Sequence, residues 1–233
     1  MIGGVTGRAA GNDLWDHAAP MIHILIVDDH DIVREGLKQI LSETNDIVVE
    51  GEARTGSEAI DHVRARPWDV VILDLNLPDR PGLDVLTQIR AVVPALPVLI
   101  LSMQHQPSYA ARALKGGALG YVGKSHARTH LVNAIRKVAR GERFLPPELA
   151  ESLAFDLMQP SGGSTHQSLS DREFQILCCI GEGKPPRRIA AELGVSVKTV
   201  ATHRARLLVK LGLRNNAEVV QYVIAHDLLP RRD

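Results

Sequence analysis

A chain of 233 residues is long enough for two modest domains, and its 27 basic side chains are balanced by 27 acidic ones, so its overall charge says little about partners. The balance is uneven along the chain: residues 1–159 hold 16 Lys/Arg against 20 Asp/Glu, and residues 160–233 hold 11 against 7, as expected when only the second part approaches nucleic acid. No run nears the roughly 18 apolar residues of a membrane span, and the adjacent Cys178 and Cys179 do not suit a structural disulfide, so a reducing, cytoplasmic setting is expected.

Residues 1–20 have no period, no apolar core and only Arg8 as a basic residue. They do not resemble a secretory signal, and residues 1–21 are expected to be a disordered, dispensable leader. Residues 23–28 (HILIVD) form a short apolar strand ending in Asp28-Asp29. Ile32, Val33, Leu37, Ile40 and Leu41 then recur at helical spacing. A second strand over 46–50 and a second helix over 57–66 follow. Val70–Leu73 is an apolar, β-branched run that leads into Asp74 and is closed by Pro78, Pro81 and Gly82. Such a run reads as a strand buried on both faces, because the prolines would interrupt a helix within two turns. A helix over 83–92, a strand over 97–101 ending at Ser102, a helix over 108–115 stopped by Gly116-Gly117, a strand over 119–122 and a helix over 131–140 complete the unit. Five strands alternating with five helices imply a five-stranded, doubly wound parallel sheet covered on both faces, an α/β fold.

Asp28/Asp29, Asp74, Ser102 and Lys124 each fall at the carboxyl end of a different strand. In an open α/β sheet those ends form one edge, so the side chains converge on one small pocket. Taken singly, each has a plain structural reading: Asp28 or Asp29 can cap the next helix, Ser102 can be a turn residue and Lys124 a solvated charge. Their coincidence at four strand ends favours chemistry. Clustered carboxylates need a compensating cation, and an all-oxygen set favours Mg²⁺. Lys124 suits a phosphoryl oxygen or Asp74 itself, Ser102 can hydrogen-bond a phosphoryl group, and Asp74 is then the nucleophile that forms an aspartyl phosphate.

VDDH at 27–30, LDLNLP at 73–78, LSM at 101–103 and GYVGK at 120–124 resemble the receiver domain of bacterial response regulators, which has a flavodoxin-like fold, over about residues 22–142. The resemblance implies that Asp74 is the phosphoacceptor and that Asp29, Asp74 and the backbone carbonyl of Asn76 hold Mg²⁺, with Asp28 helping through water. It makes Ser102 and Tyr121 the switch pair and Lys124 the family's lysine. Ser125 stands where many receivers carry proline, so no cis peptide is expected there. Met103 is larger than usual and would narrow access to Asp74.

Residues 143–168 read as a linker. Leu149, Leu153 and Leu157 at four-residue steps suggest a short amphipathic helix over 146–158, and 160–168 (PSGGSTHQS) reads as a flexible connector. From 169 onward the chain reads as four helices. Ser170 and Glu173 form a capping box; Pro185-Pro186 can open the second helix; Gly194 makes the sharp turn; Ser196 caps Val197–Leu211; a last helix covers 216–226. This is the helix-turn-helix pattern, although helical spacing alone fits a plain bundle equally well. LSDREFQIL, IAAELGVSVKTVATHRARLLVKLG and NNAEVV resemble the LuxR-type DNA-binding domain, and a receiver followed by it is the layout of the NarL/FixJ class. On the third helix, Val200, Leu207 and Leu211 share the inward face, with His203 at its edge as a packed histidine rather than a metal ligand. Ala201, Thr202 and Ala205 are expected to meet bases, with Lys198, Thr199 and Arg206 also in the DNA contact. Val219, Val220 and Val223 of the last helix are expected to pair two copies.

The chain is therefore expected to be a transcription factor and not an enzyme. The resemblance implies a sensor histidine kinase as phosphodonor, double-stranded DNA as ligand and a phosphorylation-dependent homodimer. Two other readings compete: an aspartyl-phosphate hydrolase acting on small phosphoesters, and a receiver that signals without phosphate. The first lacks a second acid after Asp74, and the second leaves a complete set of site residues unexplained.

Overall fold

The computed structural model describes residues 21–103, 107–158, 165–226 and 228–229; the expected leader, Met21 excepted, lies outside them. The first domain runs β1 (Ile22–Val27), α1 (Asp31–Ser42), β2 (Ile47–Ala53), α2 (Gly56–Ala65), β3 (Val70–Leu73), α3 (Gly82–Val92), β4 (Val98–Ser102), α4 (Pro107–Lys115), β5 (Gly120–Gly123) and α5 (Ala127–Ala139). All pairings are parallel, in the order β2-β1-β3-β4-β5. Strand residues alternate between two apolar layers. Ile24, Ile26, Val70, Ile72, Leu99 and Leu101 join the layer that α1 and α5 cover. Leu25, Val27, Val71, Leu73, Val98 and Ile100 join the layer of α2, α3 and α4.

The expected elements are all present, with three differences. The helix expected from 131 starts at Ala127, after a 3₁₀ turn over Lys124–His126. Ile32 is 88 % exposed although its spacing placed it with the core. The buried polar residue of that helix is Arg34, whose guanidinium donates to the Asp28 carbonyl (2.7 Å) and to Glu52 (2.9 Å) and pairs with Asp31. Finally, Phe144 bridges beside Gly120, donating its N–H to the Leu119 carbonyl (2.9 Å) and accepting from the Tyr121 N–H (3.1 Å). The outer edge of β5 needs such partners, so the sheet reaches beyond residue 142.

Helix α6 (Pro147–Met158) follows. Its Leu149 and Leu153 pack against the core, and the side chain of Leu157 lies outside the described residues. The connector expected to be flexible over 160–168 is partly structured: Thr165–Ser168 is a 3₁₀ turn, and 160–164 are outside the described residues. The second domain comprises α7 (Asp171–Gly181), α8 (Pro186–Glu192), α9 (Val197–Leu211) and α10 (Asn216–Ala225). Ser170 and Glu173 form the full capping box of α7; Pro185 is the N-cap of α8 and Pro186 follows it; Ser196 caps α9 by accepting from the Thr199 N–H. Gly194 turns the chain between α8 and α9 at φ +62°, a left-handed conformation open to glycine at little cost. Val219 and Val223 are fully buried, with Val223 packed where Gly181 leaves room. Val219 and Val223 therefore hold α10 inside its own domain and cannot pair two copies, whereas Val220 is half-buried and Ile224 on the same helix is exposed.

Candidate functional site

The first cluster lies at the carboxyl edge of the sheet. Asp28 follows β1, Asp74 follows β3, Ser102 ends β4, and Lys124 follows β5. All are held by strands whose backbones are locked in register, so the side chains converge without help from loops. Asp28, Asp74 and Ser102 are buried. Lys124 Nζ sits 2.6 Å from Asp28 Oδ2 and 2.8 Å from Asp74 Oδ2, bridging the two carboxylates. Burial pushes the Asp74 carboxyl up to about 6; the Lys124 ammonium opposes that rise, and the Asp28 charge adds to it. Burial pulls Lys124 down, but the Asp74 and Asp28 carboxylates more than offset it and hold the ammonium above its usual range.

Asp74 Oδ1 is buried and accepts no hydrogen bond. A buried carboxylate oxygen without a partner carries a full desolvation cost unless a ligand meets it. Asp28, Asp29, His30 and Asp74 bring ligand atoms within 4.8 Å of one another, an acidic group that could hold a metal ion. The oxygens suit a hard cation. His30 was not singled out from the sequence although it directly follows the acidic pair; its Nδ1 lies 2.7 Å from Asp29 Oδ1 and 3.2 Å from Asp28 Oδ1. Asn76, expected to lend its carbonyl, stands on the loop after β3.

That loop is pinned from two sides. Asp79 caps α2, accepting from the Gly56 N–H at 2.8 Å and the Ser57 N–H at 3.0 Å. The Gly82 N–H donates to the Leu75 carbonyl at 2.8 Å, closing the loop on itself. The Tyr121 ring is 1 % exposed and hydrogen-bonded to Ser102, so the two residues expected to act as a switch pair are in contact. Met103, next to Ser102, points outward at 61 % exposure and does not plug the pocket.

The second cluster is the outer face of α9. Lys198, Ala201, Thr202, Ala205 and Arg206 are exposed, and Thr199 is half-buried. Thr199 is tied to the cap, its Oγ1 lying 2.8 Å from Ser196 Oγ, and Thr202 donates back to the Lys198 carbonyl at 3.0 Å. Val200 and Leu207 are buried, Leu211 is partly so, and His203 is half-buried, as expected for the inward side. Two other cations of the helix are engaged elsewhere: Arg204 donates to Asn216 (2.6 Å) and Lys210 to Glu173 (2.6 Å). A helix bearing small residues and two flanking cations on its outward face, preceded by a turn and a crossing helix, fits a major groove. Among the described residues no helix is long and apolar enough to cross a membrane.

Comparison with known proteins agrees with both halves. The family model described as "Response regulator receiver domain" matches residues 24–136, and that described as "Bacterial regulatory proteins, luxR family" matches residues 167–223. The response regulator UvrY of Escherichia coli K12 is 34 % identical over 209 residues, covering 89 % of this chain and 96 % of UvrY. The response regulator GacA of Pseudomonas aeruginosa is 32 % identical over 210 residues, covering 90 % and 98 %. Among solved structures, RcsB of Salmonella enterica serovar Typhimurium, bound to a promoter in the presence of a phosphomimetic, aligns with a TM-score of 0.61 at 27 % identity, covering 88 % of this chain and 98 % of that one. The chain belongs to the response regulators of the NarL/FixJ class, transcription factors that join a receiver domain to a LuxR-type DNA-binding domain.

Proposed function

We propose that Asp74 is the phosphoacceptor and that a sensor histidine kinase is its donor. The observation that carries this is the buried, partnerless Oδ1 of Asp74 beside a carboxylate oxygen already held by Lys124. Oδ1 attacks the phosphorus of a phosphohistidine; the P–N bond breaks, and its electron pair and a proton end on the imidazole. Lys124 lies close enough to shift from Asp74 Oδ2 to a phosphoryl oxygen, and the Ser102 hydroxyl donates to another. Asp28, Asp29, Asp74 and the Asn76 carbonyl would hold Mg²⁺, which when bound neutralises phosphoryl and carboxylate charge at the pocket.

In the same reading, the second domain binds double-stranded DNA through Lys198, Thr199, Ala201, Thr202, Ala205 and Arg206, as a homodimer that phosphorylation favours. The chain works in the cytoplasm, where its two buried thiols stay reduced. It is not a turnover enzyme, since position 76 carries an amide rather than a second acid and the Asp79 carboxylate is spent on capping α2.

The test is Mg²⁺-dependent labelling by a radiolabelled acyl phosphate. Wild type should take up at most one phosphoryl group per chain with no steady-state release from phosphoesters, and Asp74→Asn should take up none. Full labelling of Asp74→Asn would sink the assignment.

A further inference from the structure

His30 closes the run Asp28-Asp29-His30 and is the N-cap residue of α1, yet its imidazole makes no capping bond to the first turn of that helix. The ring is spent on the acids instead. Nδ1 lies 2.7 Å from Asp29 Oδ1 and 3.2 Å from Asp28 Oδ1, and the His30 backbone N–H donates to the same Asp28 oxygen at 2.9 Å, which fixes the chain beneath the ring. Lys124 takes other oxygens, Oδ2 of Asp28 and Oδ2 of Asp74. What remains for a ligand is Asp28 Oδ1, Asp29 Oδ1, the partnerless Asp74 Oδ1 and an imidazole nitrogen. Asp28, Asp29, His30 and Asp74 each offer one ligand atom within 4.8 Å of the others.

These spacings are those of atoms that share an ion. Two neighbouring ligands about 2.1 Å from a six-coordinate cation stand about 3.0 Å apart, and 2.7 and 3.2 Å bracket that figure. The His30 side chain is 62 % exposed, so it can settle onto an ion without disturbing packed neighbours, and water can meet Nε2–H in the neutral tautomer whose Nδ1 lone pair is free. A neutral imidazole adds a donor without adding a fourth negative charge to three clustered carboxylates. It also changes which cation is favoured: Mg²⁺ is held by oxygen, whereas imidazole suits first-row transition metals. The resemblance to receivers implies an all-oxygen set of Asp29, Asp74 and the Asn76 carbonyl, and His30 lies outside it.

We infer that His30 is a further ligand of the pocket's cation and gives the pocket a preference for a transition-metal dication of the Mn²⁺ and Fe²⁺ type over Mg²⁺. This rests on the reading that Asp29 and Asp74 hold the cation. The test uses the full chain as wild type, with His30→Phe, which keeps a ring but no nitrogen, with His30→Ala, and with Asp29→Asn as the control that removes a carboxylate. Mn²⁺ alone is the probe. Its affinity is read from the loss of the free-ion EPR signal and that of Mg²⁺ from competition with it. The ligands are read from nitrogen modulation of the bound ion in pulsed EPR.

Bound Mn²⁺ should show imidazole nitrogen in the wild type and lose it in both His30 variants. Their Mn²⁺ affinity should fall at least about tenfold, the low end of the loss when a metal-site partner is removed, while Mg²⁺ affinity, carried by oxygen, stays close to wild type. Nitrogen modulation absent from the wild type, or unchanged without His30, would overturn the inference. So would tighter binding of both cations by the His30 variants, which would make the imidazole a stopper that the cation displaces. Equal losses for Mn²⁺ and Mg²⁺ would reduce His30 to a holder of Asp29 and overturn the preference. Asp29→Asn binding Mn²⁺ as the wild type does would sink the acidic pocket as the cation's place. Asp29→Asn losing both cations while the His30 variants lose neither would sink the part assigned to His30 alone.

Discussion

The closest backbone approach beside Asp74 is at Gly82, and it makes a sharp prediction. The N–H of Gly82, at the start of α3, donates to Leu75 O at 2.8 Å, and a Cβ built on it would lie 2.2 Å from the Asp74 carbonyl oxygen and 2.6 Å from the Leu75 Cα. Its φ is not positive, so space, and not backbone conformation, demands glycine. An ordinary carbon-to-oxygen approach is about 3.3 Å, so Gly82→Ala must drive the β3–α3 loop and α3 apart by about 1 Å. The atoms in the way are backbone and cannot swing aside. Forcing a methyl into packed surroundings costs about 1–3 kcal/mol, and loss of the Gly82–Leu75 hydrogen bond adds about 1 kcal/mol, giving about 2–4 kcal/mol in all. Since Asp74 and Asn76 lie on the displaced segment, phosphoryl uptake should fall by about a hundredfold, the effect of a misplacement near 1 Å. Urea unfolding and acyl-phosphate labelling measure the two losses. Gly36→Ala is the matched control: it sits inside α1 with nothing within 4 Å of its Cβ, and should stabilise by about 0.5–1 kcal/mol. Two alanine variants with equal stability and wild-type labelling would refute the close-approach argument.

Lys124→Ala should leave Asp28 and Asp74 buried without their bridging ammonium, at a cost of about 3–5 kcal/mol without divalent cation. Millimolar Mg²⁺ should restore part of that loss in urea unfolding, whereas the same loss with and without Mg²⁺ would argue against a shared electrostatic centre. His166 is pushed down to about 4 by burial, then by His226 and Arg112, so between pH 6.5 and 4 the unfolded chain binds more protons than the folded one. Stability should therefore fall as pH drops through that window, by roughly 1–2 kcal/mol at pH 5 after allowance for solvent screening, and His166→Gln should remove that part of the slope. On DNA, Lys198→Ala should weaken binding to all sequences alike and lower the salt slope by about one per copy, while Thr202→Ala should shift base preference by roughly 1–3 kcal/mol. Titrations over salt and over operator variants separate the two effects, and a sequence-selective loss in the lysine variant would reverse the roles.

The convergence of Asp28, Asp74, Ser102 and Lys124 was legible because they sit at strand ends, where a short apolar run followed by a polar residue fixes both the element and the place of that residue in the sheet. Asp74 and Lys124 needed no knowledge of packing beyond strand order. The helix starts were less legible: α5 begins four residues before its first leucine because Ala127 and Arg128 carry no apolar period, although Ala127 is buried. Arg34 escaped notice for a related reason. A long basic side chain is read as solvated, and only the tertiary placement of Glu52 and the Asp28 carbonyl makes its burial tolerable. On α10 the valines were rightly seen as one apolar stripe, but a stripe does not say whether a helix of the same domain or a second copy covers it.

The seam between the domains left a trace in the sequence that periodicity alone obscures. Every residue of α7 from Glu173 to Ile180 is buried. A helix that leaves no solvated stripe must be covered on all sides, and a four-helix domain can supply only some of that cover. Helices α9 and α10 take one side through Val200, Leu207, Val219 and Val223, while Tyr109 and Arg112 of the receiver take the other through Phe174 and Cys178. The run FQILCCI thus carries more apolar surface than the helix-turn-helix domain needs for its own core. The surplus is the part that meets the receiver, and it joins the core layer of α2, α3 and α4 to the second domain in one continuous cluster. A helix set only for DNA reading would place polar residues at 174 and 178. Their apolar character ties α7 to the receiver helix after Ser102 through Tyr109 and Arg112.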